Sequence, residues 1–189
     1  MKYTVAWLLE QYQKDSKIKY VFFWGHQPTK DGSISESCFS QWWPSPFTVD
    51  GIAYKTAEHW MMAQKARLFE DQHQLNLILT CSSPAEAKKL GRQIANFDTN
   101  LWDQHKYAFV VEGNYHKFSQ NANLRTFLLH TGERVLVEAS PVDSIWGIGM
   151  AKNDEAIYDP TKWKGENLLG FALMEVRDQL KAFQTISYS

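Results

Sequence analysis

This sequence carries few features suited to crosslinking, membrane insertion or bulk electrostatics. Cysteine occurs twice, as Cys38 and Cys81. Two thiols are too few for a disulfide framework, and they do not form the C-x-x-C pair of a zinc or redox site. A reducing compartment is the simpler setting. No window approaches the ~20 apolar residues of a membrane span. The opening run Val5-Ala6-Trp7-Leu8-Leu9 meets Glu10 early and has no small-residue cleavage site behind it, so a secretory signal is not expected. A cytoplasmic protein with no membrane partner is expected. Neither sign of charge prevails: 20 Lys and Arg stand against 21 Asp and Glu, a net charge of −1. That balance excludes a global positive field for duplex nucleic acid, although a few local cations suffice for a small anion.

Several catalytic signatures are absent as well. There is no P-loop, no H-E-x-x-H and no Gly-x-Ser-x-Gly elbow. Gly147-Ile148-Gly149 lacks the third glycine of a dinucleotide fingerprint. The six histidines do not cluster with carboxylates at ligand spacing, so neither a metal nor a cofactor is expected.

Aromatic residues are plentiful. Eight tryptophans in 189 residues suit a ring-rich core, and some of them suit stacking on a flat ligand. The length fits one domain spanning residues 1–189. Apolar spacing predicts a short helix over residues 4–14, with Val5, Leu8, Leu9 and Tyr12 on one face. Tyr20-Val21-Phe22-Phe23-Trp24 reads as a buried strand, and residues 26–46 as loop. Phe47-Thr48-Val49 and Ile52-Ala53-Tyr54 flank Asp50-Gly51, a hairpin signal. Thr56 is the expected cap of a helix over residues 57–69. Further helices follow over 71–80 and from Ser83-Pro84 to Gly91. A long one capped by Asp98 carries Leu101, His105, Ala108, Val111, Tyr115 and Phe118 inward. Residues 123–131 continue helically to Gly132, and Val135-Leu136-Val137 is a short strand. The final helix shows Leu169, Leu173, Val176, Leu180 and Phe183 at the 3.6-residue period. The fold expected is mainly α with a minor β element, an α+β class.

Chemistry concentrates on the helix after the hairpin. Glu58, Met61, Met62, Lys65 and Phe69 fall on one side of it. Glu58 and Lys65 are two turns apart at nearly one azimuth, ~10 Å along the axis, which suits gripping opposite sides of one sugar. A plainer reading of Glu58 is an acid favoured by the helix dipole in the first turn. A second cluster, Asp143-Ser144-Ile145-Trp146-Gly147-Ile148-Gly149, sets an indole in a glycine-flanked loop where backbone can approach a ligand. Its plainer reading is a loop pinned by a buried Trp146. Trp102, near the start of the long helix, divides the same way.

At these residues the sequence resembles the NADAR domain family, also called YbiA-like proteins. The segments that carry the resemblance are Phe23-Trp24-Gly25, Ser40-Gln41-Trp42-Trp43-Pro44-Ser45-Pro46-Phe47 and Thr56-Ala57-Glu58-His59-Trp60-Met61-Met62-Ala63-Gln64-Lys65-Ala66. They continue with Ala87-Lys88-Lys89-Leu90-Gly91-Arg92, the loop from Asp143 to Gly149, and Gly165-Glu166-Asn167-Leu168-Leu169-Gly170. They run in family order over about residues 20–181. The resemblance implies a YbiA-like single domain and an N-glycosidase. Its substrate would be an early riboflavin-pathway intermediate or ADP-ribosylated guanine, hence a small ribose-nucleotide or an ADP-ribosylated nucleic acid. It implies Glu58, Lys65 and Asp143 as catalytic residues and Trp102 and Trp146 as walls of the substrate site. Gly147 would serve close backbone approach, and Arg92 or Lys88 would meet a phosphate. Some relatives carry an acid where this chain has Ile148, which bears on the loop's electrostatics.

N-ribosyl cleavage builds positive charge on the sugar C1, which a fixed carboxylate stabilises. Glu58 suits that role, or the activation of water. Lys65 either neutralises a phosphate or, desolvated by the methionine stripe, attacks C1 and holds the sugar as an imine; the covalent role is favoured. The rival class is a non-catalytic binder of ADP-ribose or a related nucleotide. A third reading is a conflict protein acting on modified DNA through a flipped base.

Overall fold

The computed structural model describes residues 1–15 and 17–186. The chain is mainly helical with two small sheets. It divides into two compact units, one of residues 1–40 with 123 onward, the other of residues 41–122.

In the first unit, α1 (Val5–Lys14) starts where the Thr4 side chain accepts from the Trp7 N–H at 3.0 Å, satisfying an orphan donor of the first turn. Leu8 is buried, and Val5, Leu9 and Tyr12 flank it, as the spacing predicted. β1 (Tyr20–Phe23) and β4 (Val135–Glu138) pair in parallel, Tyr20 opposite Val135 and Phe23 opposite Glu138. Trp24 lies outside the strand and is 55% exposed, so the buried run is one residue shorter than expected. Between β1 and the second unit the loop makes a 3-10 turn, Glu36–Phe39, that buries Cys38 and Phe39. α6 (Ala122–His130) leads to β4, and α7 (Leu168–Ile186) packs against it. Leu169, Leu173, Val176 and Leu180 of α7 are buried, but Phe183 is exposed in the last turns. Gly170 explains the closeness of that packing: a Cβ there would lie 2.1 Å from the Leu136 carbonyl oxygen.

In the second unit, β2 (Phe47–Val49) and β3 (Ile52–Tyr54) form the expected hairpin, with Phe47 opposite Tyr54. Asp50 and Gly51 both take positive φ, 49° and 77°, the pair of values a two-residue type I′ turn needs. α2 (Ala57–Leu68) is capped by Thr56 and surrounded by α3 (Gln72–Thr80), α4 (Pro84–Gly91) and α5 (Thr99–Gln120). Asp98 caps α5, accepting from the Leu101 N–H at 2.7 Å.

Two expectations fail here. Residues 57–63 of α2 are all buried, so its first turns are a central rod and the Glu58–Phe69 stripe is no separate face. The inner face of α5 is Val110, Gly113, Asn114, Lys117 and Phe118, not the apolar set read from the sequence; only Phe118 belongs to both, and Leu101 is 37% exposed. A helix packed closely around an indole selects small and hydrogen-bonding residues rather than bulk. A Cβ at Gly113 would sit 2.3 Å from Cδ1 of Trp60, whose Nε1–H donates to the Phe109 carbonyl at 2.8 Å.

Candidate functional site

The second unit holds Glu58, Lys65, Arg92 and Trp102. Glu58 occupies the first turn of α2 and is 5% exposed. Its backbone N–H donates to the Gln41 carbonyl at 3.0 Å. The Gln41 side chain is held in turn: Asn114 Nδ2 donates to Gln41 Oε1 at 2.7 Å and to the Val110 carbonyl at 2.8 Å. Those two bonds use both amide hydrogens of Asn114, so its orientation is determined. One turn further along α5 lies Lys117, also fully buried. Burying an amide, a carboxyl group and an amine in one small unit is expensive unless each is hydrogen-bonded or paired. Gln41, Asn114 and Lys117 carried no assigned role in the sequence. The readable sign was polar residues at 114 and 117 between Val110 and Phe118, one helical turn apart.

Lys65 lies two turns along α2 from Glu58, against the end of α4 and the start of α5. Its Nζ donates to the Gly91 carbonyl at 2.8 Å and lies 4.1 Å from the ring centroid of Phe97 and 5.5 Å from that of Trp102. Burial lowers its proton affinity below that of an ordinary lysine, and the charge of Arg92 adds to the effect. The desolvating surface differs from the methionine stripe expected. It consists of two aromatic rings, whereas Met62 lies against Gly91, where its Sδ would be 2.1 Å from an added Cβ. Phe97 was missed because it follows Asn96, a left-handed residue (φ 54°) in a turn with no periodic signal. Trp102, in the first turn of α5, lies beside Lys65 and 6.2 Å from Phe109, centroid to centroid. Arg92 is exposed at the end of α4, and Lys88 lies over the Trp42 ring at 5.8 Å.

Asp143, Trp146 and Gly147 belong to the first unit. One carboxylate oxygen of Asp143 accepts the N–H groups of Ile145 and Trp146, at 2.9 and 2.8 Å. That Asx-type turn fixes the loop, so a ligand would meet the other oxygen. Gly147 is buried among carbonyls: a Cβ would lie 2.9 Å from the oxygens of both Asp143 and Glu138. Its closeness therefore serves loop packing against its own chain. Trp146 is half-buried, and its backbone is tied by the Leu169 N–H donating to its carbonyl at 3.1 Å. Ile148 is fully buried, so the residue between the two glycines enters the core. Its substitution for an acid does not alter an exposed loop face. Asn167 anchors the same region: its Nδ2 donates to Leu136 and its Oδ1 accepts from the Glu138 N–H, both at 2.9 Å.

A cavity of about 610 Å3 also lies in the first unit, lined by none of the site residues expected from the sequence. Among the described residues no three His, Cys, Asp or Glu side chains converge as a metal site would require, and no helix is long and apolar enough to cross a membrane.

The NADAR domain matches residues 22–181, a span that includes the hairpin, the Thr56–Lys65 helix, the Asp143–Gly149 loop and residues 165–170. The chain belongs to the NADAR family. Its similarity to N-glycosidase R617 of Acanthamoeba polyphaga mimivirus is 44% identity over 166 residues, 85% of this chain and 96% of that protein. N-glycosidase YbiA of Escherichia coli K12 is 35% identical over 152 residues, 80% of this chain and 84% of that one. The solution structure of the E. coli protein YbiA superposes with a TM-score of 0.71 at 30% identity, covering 88% of each chain. The YbiA-like α+β fold read from the sequence is therefore the fold of this NADAR protein.

Proposed function

We propose that this NADAR protein is an N-glycosidase that hydrolyses the ribosyl C–N bond of a ribose-nucleotide, either a riboflavin-pathway intermediate or ADP-ribosylated guanine. The observation that carries the reading is the pair on α2: a carboxylate buried in its first turn, and two turns on an amine deprotonated more readily than usual. The N-glycosidase names of its relatives support the reaction class.

In this reading Glu58 stabilises positive charge on C1 as the base departs, and directs water. Neutral Lys65 attacks C1, the C–N bond breaks with its electron pair on the base, and the base takes up a proton. The sugar ring opens to an imine on Nζ, and water then releases the sugar and restores the amine. Trp102 walls the sugar. In the first unit, the family motif assigns ribose binding to Asp143, whose second oxygen is left by the loop, and to Trp146. Arg92 meets a phosphate and at the same time keeps Lys65 poised. The family match runs unbroken through both compact units, which supports treating them as one domain. Cys38 and Cys81 are buried and outside any disulfide, which accords with a reducing, cytoplasmic setting.

The test is to offer phosphorylated N-ribosides and ADP-ribosylated DNA and follow released base or ADP-ribose. Turnover that Glu58→Gln lowers by ~10²-fold or more is the expected result. Tight binding of ADP-ribose without cleavage of any N-riboside would replace the enzyme with a binding module.

A further inference from the structure

The cavity of about 610 Å3 in the first unit is separate from everything assigned above. Its volume lies in the range of small-molecule sites. One wall comes from α1 and the segment after it, through Trp7, Lys17 and Lys19; the other comes from the turn between α6 and β4, through His130, Glu133 and Arg134. The first wall precedes residue 22, where the family match begins, so the cavity is not part of the shared NADAR site.

Its charge is one-sided. Lys17, Lys19 and Arg134 make no ion pair with any described residue. The one acid, Glu133, is already neutralised by Lys181, at 2.5 Å. Three unpaired cations around a concave surface focus a positive potential there, although the chain as a whole carries a charge of −1. The indole of Trp7 is half-buried, with Tyr3 packed edge-on against it at 4.7 Å between centroids. That contact fixes the ring where a planar ligand would stack. Cations gathered beside a packed aromatic ring suit a ligand that joins a flat heterocycle to a phosphate.

We propose that this cavity is a second ligand site that binds a nucleoside monophosphate, its base on Trp7 and its phosphate among Lys17, Lys19 and Arg134. The site is independent of the reaction at Glu58. It gives the first unit a sensor for a nucleotide without requiring that nucleotide to be cleaved.

Calorimetric titration of the full chain with adenosine 5′-monophosphate, adenosine and inorganic phosphate tests this. The same titrations in Glu58→Gln prevent hydrolysis of the probe from being read as binding. The monophosphate should bind at least ~10-fold more tightly than either fragment, and equally well to Glu58→Gln. The double variant Lys17→Gln/Lys19→Gln, which changes two exposed side chains, should weaken it ~10-fold or more, about one charge-assisted hydrogen bond. Trp7→Leu should remove the preference over inorganic phosphate. The proposal is overturned if the monophosphate does not bind, if it binds the double lysine variant as well as the parent, or if inorganic phosphate binds as tightly as the nucleotide.

Discussion

Nζ of Lys65 stands 4.1 Å from the ring centroid of Phe97, with its proton directed to the Gly91 carbonyl. Burial, more than any one neighbour, sets how the amine titrates. Burial and the Arg92 charge lower its proton affinity, so the neutral form gains as pH rises through a value below the usual lysine range. If the neutral amine attacks C1, turnover should climb with pH and level off before that range. Phe97→Ala admits water and Arg92→Gln removes a positive charge; both should move the rising limb to higher pH. A pH–rate profile that falls with rising pH would instead mark Lys65 as a phosphate-binding cation.

Borohydride added during turnover should reduce an imine on Lys65 and leave a conjugate visible by intact mass. Lys65→Arg, whose guanidinium stays charged, should give none and lose ~10²-fold or more of the rate. An adduct that survives Lys65→Arg places the covalent bond on another residue.

The same amine should be a burden on the fold. A lysine whose proton affinity drops on folding opposes folding while protonated, and the penalty fades as pH rises through its folded value toward 10.5. At neutral pH, Lys65→Met should leave the melting temperature equal or higher while abolishing turnover. A lower melting temperature would show that the Gly91 hydrogen bond outweighs desolvation.

Acid should loosen the second unit before carboxylates titrate. His59 is buried beside the Thr56 hydroxyl, 2.8 Å from Nδ1, and burial lowers its proton affinity. The unfolded chain then binds the proton more readily, so stability should fall as pH drops below about 6.5. The shifted carboxylates, Asp71 and Asp178 among them, are held below their ordinary values and act only at lower pH. Urea midpoints between pH 7 and 5 should slope downward in the parent, and more gently in His59→Gln.

Gly113→Ala should destabilise the protein by about 1–3 kcal/mol despite alanine's better helix propensity, since its Cβ meets the rigid Trp60 indole. Gly91→Ala meets only the flexible Met62 thioether and should cost less. Thermal melts of the two variants give the comparison directly; equal losses would mean that Trp60 is freer to shift than its hydrogen bond to Phe109 implies.

What the sequence disclosed was whatever depends on neighbours in the chain. Thr56, Ser83 and Asp98 each cap the helix they precede, and Asp50-Gly51 turns the hairpin, because caps and two-residue turns are local chemistry. The face of α5 was hidden because Gly113, Asn114 and Lys117 carry no apolar signal. The environment of Lys65 was hidden because Phe97 comes from an aperiodic turn. Glu58 and Lys65 were singled out by helical spacing and family order, which carry no information on what each side chain touches. The supporting chain through Gln41 and Asn114 joins residues 73 apart, a separation beyond any local pattern. Asp143 was read as a ligand for sugar, and the structure adds that half of its carboxylate is already committed to its own loop.

The parallel pairing of β1 with β4 brings together segments separated by residues 24–134. Such a contact pays its loop-closure entropy late. Residues 41–122 hold their hairpin and helix contacts within themselves, so they can collapse as soon as they leave the ribosome, whereas β1 must wait for β4 to be synthesised. Refolding should therefore show a fast phase reported by Trp60 and Trp102 and a slower one reported by the strand pair, with β1 an exposed edge during the interval.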